Sequence, residues 1–238
     1  MDARAWAALA ASHLGDLPPQ LMDELLDGAR RLEVSAGATI HQEGEQVPHV
    51  EVVVHGLVRV HVTAPDGRTL TVRYCRVGAL MGILSLYTMP FVMPATTQAV
   101  VDSDLLAIKP VVVRRLADHD VRVAKALLAE LSERALALVA EIRSSTFSNV
   151  RQRIARHLLD LASERQRGAD LIAPISQQNL ADAVGTVREV VVRTLRDLRQ
   201  EGLLKTERGG IAITSPERLL VEAYGQDAYA PQAWNMGP

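Results

Sequence analysis

The sequence is poor in cysteine and in aromatic residues. Cys75 is the one cysteine among 238 residues. An intrachain disulfide, a four-cysteine zinc site and a cysteine-ligated iron–sulfur cluster are therefore excluded. A single thiol fits a reducing, cytoplasmic setting. Aromatic residues make up 3% of the chain and hydrophobic residues 48%, so the cores must be aliphatic. No stretch reaches the ~20 apolar residues that a membrane helix needs. The opening MDARAWAALAASHLG has an early Asp2 and no basic run before its apolar residues, so no signal peptide is expected. There is no metal-ligand cluster, phosphate loop, nucleophile elbow or paired carboxylates in a catalytic setting, and the chain is not expected to be an enzyme. A strong charge of one sign is also missing: the formal net charge is −2. That argues against a uniformly basic coat for nucleic acid but leaves room for a local basic face. Residues 150–220 hold 12 Lys and Arg against 9 Asp and Glu, an asymmetry of the right sign for DNA contact near the C-terminus.

What is present divides by period. Pro18 to Arg31 reads as a short amphipathic helix, with Leu21, Leu25 and Ala29 near one face. From Leu32 to Ile108 the chain is rich in β-branched residues and punctuated by Gly37, Gly44, Gly56, Pro65-Asp66-Gly67, Gly78 and Gly82. Several short strands with Asp66-Gly67 as a hairpin turn suggest a barrel, roll or sandwich. After Lys109-Pro110 the period becomes helical. Val121, Ala124, Leu128, Leu131, Ala135, Leu138 and Ile142 alternate in steps of three and four, a heptad seam. Two readings fit it: a helix packed on its own domain, or a dimer seam. The strict spacing favours the dimer seam. Ser144-Ser145-Thr146 forms a polar patch suited to a hinge, and Val150 to Arg165 reads as a further amphipathic helix.

The informative segment is ISQQNLADAVGTVREVVVRTLRDLRQEGLL, from Ile175 to Leu204. Ser176 is placed to cap a helix that buries Leu180, Ala183 and Val184. Gly185 ends that helix in a tight turn. A second helix starts near Thr186, its expected cap, and runs to Gln200. Within an arc of about 100°, Val187, Val191, Thr194, Leu195 and Leu198 form its docking side. Arg188, Glu189, Val192, Arg193 and Arg196 lie opposite. An arginine donates two hydrogen bonds to guanine O6 and N7, and a glutamate accepts from cytosine N4. Arg188 and Arg193 are the expected guanine readers, with Glu189 accepting from cytosine and Val190 or Val192 touching a thymine methyl. GLLKTERGGIAITS follows as a hairpin, Leu203-Leu204 and Ile211–Thr214 flanking a turn at Arg208-Gly209-Gly210. This wing would bring Lys205 or Arg208 to phosphate, a contact that positions without specifying sequence.

This helix-turn-helix, its wing, the long helix before it and the glycine-punctuated roll resemble the CRP/FNR superfamily (cyclic-AMP receptor protein and fumarate–nitrate regulator) from about Leu17 to Leu220. The resemblance implies an α+β protein: an N-terminal β-roll of the cyclic-nucleotide-binding jelly-roll type, a long dimerisation helix and a C-terminal winged helix-turn-helix. It implies a homodimer reading a palindrome in double-stranded DNA, and RNA polymerase as a partner if the protein activates. Arg188, Glu189 and Arg193 match the branch that reads TGTGA-type half-sites. The expected organisation is 1–118 roll, 119–146 dimerisation helix and hinge, 147–222 DNA-binding domain and 223–238 tail, with Ala124, Leu128, Leu131, Ala135, Leu138 and Ile142 dimerising.

The chain departs from the family's cyclic-nucleotide binders at the effector. Ile83 stands where the ribose-binding glutamate would be, and Met93-Pro94 where an Arg-Ser pair would be. A buried cyclic phosphate would lack its charge partner. About Leu138-Val139 replace the Thr-Ser pair that meets adenine, so a response to cyclic AMP is not expected. Met81, Gly82, Ile83, Leu84, Met93, Leu138 and Val139 then either pack the roll or line a pocket for an apolar effector or haem. No cofactor is predicted, and no metal site. For haem the candidate axial ligands are His41, His49, His55, His61 and Cys75. The alternative function is an effector-binding module that acts through a protein partner.

Overall fold

The computed structural model describes residues 3–46, 49–65, 67, 69–164, 171–207 and 210–224, with backbone alone for 140, 141, 143–147, 163 and 164. The chain forms two compact units that divide within one long helix, between Val139 and Ala140; the hairpin segment 63–71 groups with the second, and the rest of the chain before Ala140 with the first.

The first unit is a roll of two four-stranded antiparallel sheets. One has the order β1 (Arg30–Val34), β8 (Ser103–Ile108), β3 (Val50–His55), β6 (Leu80–Met81). The other runs β2 (Thr39–His41), β7 (Thr96–Ala99), β4 (Val58–Thr63), β5 (Thr69–Cys75). Between β4 and β5 the chain turns at Gly67, whose N–H donates to Ala64 O with φ at 84°. Asp66 lies outside the described residues.

Strand β3 belongs to two cores. Val53 packs with Val58, Cys75, Met81 and Leu105. Val50, Val52 and Val54 instead join a second core with Leu106 and Ile108. Because side chains alternate along a strand, a strand covered on both faces reads as a continuous apolar run. This one reads VEVVV, and the exception, Glu51, is buried. The second core is completed by helices α1 (Ala3–Ala10), α2 (Pro19–Leu25), α3 (Pro110–His119) and the start of α4 (Val121–Phe147).

Two features of this unit depart from the expectation. Helix α2 stops at Leu25 rather than continuing to Arg31; Gly28 takes φ 69° and Arg30 already starts β1. Helix α1 was not anticipated. Ser144–Thr146 lie within α4, which continues to Phe147 before the helical break at Ser148-Asn149.

The second unit comprises α5 (Val150–Leu161), α6 (Gln177–Val184), α7 (Arg188–Gln200), α8 (Pro216–Tyr224) and a small sheet. The sheet order is β11 (Leu204–Glu207), β12 (Gly210–Ile213), β10 (Leu171–Ala173), β9 (Ser163–Glu164). Asn149 starts α5 with a capping box: its side chain accepts from Gln152 N while the Gln152 side chain accepts from Asn149 N. Helix α5 ends at Leu161, short of Arg165, and Arg165 to Asp170 lie outside the described residues. At residue 223, where the tail was expected to start, the chain is still in α8 and Ala223 is buried. Residues 225–238 lie outside the description.

Candidate nucleic-acid interface

The helix-turn-helix is built by local signals. Ser176 Oγ accepts from Asn179 N at 3.1 Å and caps α6. Leu180, Ala181, Ala183 and Val184 are buried. Gly185 ends α6 with φ 68°, a left-handed setting that costs a residue with a Cβ strain and glycine little. The next helix begins one residue later than expected. Val187, extended and 60% exposed, precedes its first residue, Arg188, and no side chain caps it. Thr186 is therefore not the cap; its N–H closes the turn onto Ala181 O. Val187 also leaves the docking side, because the helical phase does not reach it.

From Arg188 onward α7 is amphipathic as its sequence requires. Val191, Thr194, Leu195 and Leu198 are buried, and Thr194 Oγ1 donates back to Val190 O. Arg188, Glu189, Val192, Arg193 and Arg196 are exposed. Glu189 sits in the first turn, where the helix dipole favours a carboxylate. Arg196 lies 3.8 Å from Asp197, a loose surface pair. Arg188 and Arg193 make no ion pair with a described residue. The guanidinium face is thus open, with donors free for an acceptor-rich surface.

The wing is the hairpin β11–β12, in register Leu204↔Ile213 to Glu207↔Gly210. Strand β12 stays within a residue of the expected Ile211–Thr214, whereas β11 runs on to Glu207, past the expected end at Leu204. Lys205 is exposed, but Nζ lies 3.1 Å from Glu207 Oε1, a partner the sequence reading did not give it. Arg208 and Gly209 lie outside the described residues. A residue missed altogether is Arg199, on the last turn of α7. Its Nε donates to Leu195 O at 3.1 Å and its Nη1 to Thr206 Oγ1 at 2.6 Å. Its i+7 relation to a hydroxyl on the following strand was the available signal.

The expected effector residues do not share one surface. Met81 faces the roll interior, while Ile83 belongs to the second core, and Met93 is buried. Leu84, Leu138 and Val139 are exposed. A 3-10 turn at Ile83–Ser85, entered through Gly82 at φ 80°, separates them.

Two arginines lie near this turn, each already committed to a partner. Arg73 Nη2 and Arg134 Nη2 both donate to Leu80 O, two residues before Gly82. Arg134 Nε also donates to Glu130 Oε1 at 2.7 Å. His13 stands 3.0 Å from Glu133 and 3.7 Å from Glu130. Burial, and then the neighbouring Arg73 charge, pulls the Arg134 pKa down. Nearby, burial pushes the Cys75 thiol up, which keeps it protonated. Among the proposed haem ligands, Cys75 is buried and neutral, and His41 is committed to Glu51. Among the described residues no cluster of three or more His, Cys, Asp or Glu suits a metal ion. No helix there is long and apolar enough to cross a membrane.

Helix α4 has two apolar faces. Val123 and Leu127 are buried in the second core, and Leu131 packs against it, so Leu131 serves the roll rather than the open seam. The other seam residues face outward: Leu128 is 64% exposed and Ile142 57%, with Leu138 and Ala135 also exposed and Ala124 half-buried.

Residues 31–120 match the cyclic nucleotide-binding domain family and residues 152–221 the Crp-like helix-turn-helix domain family. The transcriptional regulator LdrP of Thermus thermophilus is 32% identical over 173 residues, 71% of this chain and 84% of that protein. The cAMP-activated global transcriptional regulator Vfr of Pseudomonas aeruginosa is 25% identical, over 77% of this chain and 88% of its own. Among solved structures, a CRP-family transcriptional regulator of Thermus thermophilus superposes with a TM-score of 0.68 at 26% identity, covering 81% of this chain and 96% of that one.

Proposed function

Because the chain belongs to the CRP/FNR superfamily of transcription regulators, we propose that it acts as a homodimer on a palindromic DNA site with TGTGA-like half-sites, without responding to cyclic AMP. The observation that carries the reading is the open guanidinium face of α7 above a fully packed opposite side. Arg188 and Arg193 read guanines, Glu189 accepts from cytosine and Val192 meets a thymine methyl. Arg196, Ser176 and Thr186 lie where the helix-turn-helix meets the backbone, and Lys205 and Arg208 carry the wing's phosphate contacts.

The exposed apolar stripe of Leu128, Ala135, Leu138 and Ile142 supports pairing through α4, with Ala124 at its edge. A dimer spaces two recognition helices for successive major grooves, ~34 Å apart. The organisation proposed is a roll over 1–118, a dimerisation helix to 147, a DNA-binding domain to 224 and a tail beyond. A cytoplasmic setting, and RNA polymerase as a partner if the protein activates, belong to the same proposal.

Failure to respond to cyclic AMP rests on Ile83, an apolar core residue where a ribose acceptor would be needed. Selection from random duplexes tests the function as a whole. A recovered palindrome with guanines in both halves is the expected result. Binding with no selected motif would refute it and favour a module that docks on a protein.

A further inference from the structure

Strand β11 is the edge of its sheet. Its ladder to β12 fixes it within the sheet but leaves its distance from α7 to other contacts. Strand β12 is itself tightly set: a Cβ on Gly210 would lie 2.3 Å from Ala173 O, so the two backbones have closed to the limit that glycine permits. On β11, Leu204 is buried but Lys205 and Thr206 are exposed. A cavity of about 170 Å³ lies between the wing and the helix-turn-helix, lined by Gln177, Leu195, Leu204 and Ile211 among others. Arg199 and Thr206 also line it.

Arg199 spans this gap. One N–H of its guanidinium holds Leu195 O on its own helix and another holds Thr206 Oγ1 on the wing. A guanidinium is a rigid planar fork, so two acceptors bound to it are fixed relative to each other. Hydrogen bonds from a charged donor are also stronger than neutral ones. Thr206 adjoins Lys205, whose ammonium leans along the strand to Glu207. Exposed pairs of that kind are weak, and a DNA phosphate can draw the ammonium away if the strand is held at the right height.

We propose that Arg199 is a positioning residue: through Thr206 it holds the wing where Lys205 reaches a DNA phosphate. The proposal rests on the DNA-reading function and adds a residue to it. Arg199 itself reads no base, so its loss should weaken all sequences alike.

The test uses the full-length protein and its selected palindrome, with affinity measured across a salt series. Thr206→Val removes the acceptor but keeps a β-branched side chain suited to a strand. It should weaken binding on the order of fivefold and lower the salt slope by about 0.9, the share of one phosphate. The preferred sequence should not change. Thr206→Ser, which keeps the hydroxyl, should restore both affinity and slope. Adding Lys205→Ala to Thr206→Val should cost nothing further, because the same contact is already lost. Arg199→Lys keeps the charge, loses the fork and should lower the slope as Thr206→Val does. An unchanged slope in Thr206→Val and Arg199→Lys, or additive losses in the double variant, would overturn the proposal. A wild-type protein that selects no duplex would instead overturn the DNA-reading function on which it rests.

Discussion

The imidazole of His41 and the carboxylate of Glu51 are bonded inside the roll, Nε2 2.6 Å from Oε1. The side chains are 12% and 2% exposed. They join the two sheets, since His41 ends β2 and Glu51 lies on β3. Glu45 faces the other ring nitrogen, Oε1 3.6 Å from Nδ1. Burial alone would lower the His41 pKa; the Glu51 hydrogen bond and charge, with Glu45, outweigh it and hold the pKa above the ordinary 6.5. A pKa raised on folding stabilises the native state fully below 6.5, and that stability is lost as pH rises through the folded value. Urea midpoints should therefore fall as pH climbs above 6.5, and His41→Gln should flatten that fall. His61 has the opposite sign: burial and Arg59 hold its pKa below 6.5, so its effect is a gain of stability as pH approaches 6.5 from below. A midpoint that rises with pH above 6.5 would contradict the assigned pair.

Base reading divides the arginines of α7. Arg188→Ala should relax the choice at one base pair, by about 1–3 kcal/mol of discrimination, and Arg193→Ala at another. Selection repeated with each variant measures this. Uniform weakening with no change in the selected sequence would show that the two act on the backbone instead.

The two faces of α4 predict opposite outcomes for the same substitution. Leu128→Glu places a carboxylate on the exposed stripe and should yield a folded monomer in sedimentation. Leu127→Glu buries an unpaired carboxylate in the second core and should unfold the roll. A Leu128→Glu protein that sediments like the wild type would exclude this face as the seam.

Stability of the reading head depends on the inward side of α7. Leu198 is buried without measurable exposure, and Leu198→Ala should cost about 2–5 kcal/mol in denaturant titrations. Val192→Ala, on the outward side, should fall within ~0.5 kcal/mol of wild type. Similar losses for both would mean that the outward face is covered.

Those elements whose signals lie close together in sequence were the legible ones. Ser176 and Gly185 mark the ends of α6 through chemistry that acts within three residues, and the inward side of α7 follows from its period. Thr186 misled because residue type alone does not show that Val187 is extended, which delays the helix. Arg73 and Arg134, 61 positions apart, meet at Leu80 O, so no local pattern announces them. Leu131 fits a heptad and a core contact equally well, and only the packed chain separates the two. Helix α8 and strand β10 were missed because each is short and stabilised by tertiary contact with α5.

Strand β3, walled in on both sides, has a consequence for how the roll can misassemble. A slip of one residue against β8 would exchange its faces. Val50, Val52 and Val54 would turn toward His41, while Glu51 would be thrust among the aliphatic side chains of the helices. The lone acid in an otherwise uniform valine run thus acts as an alignment pin, penalising the nearest wrong pairing with an unsolvated, partnerless charge.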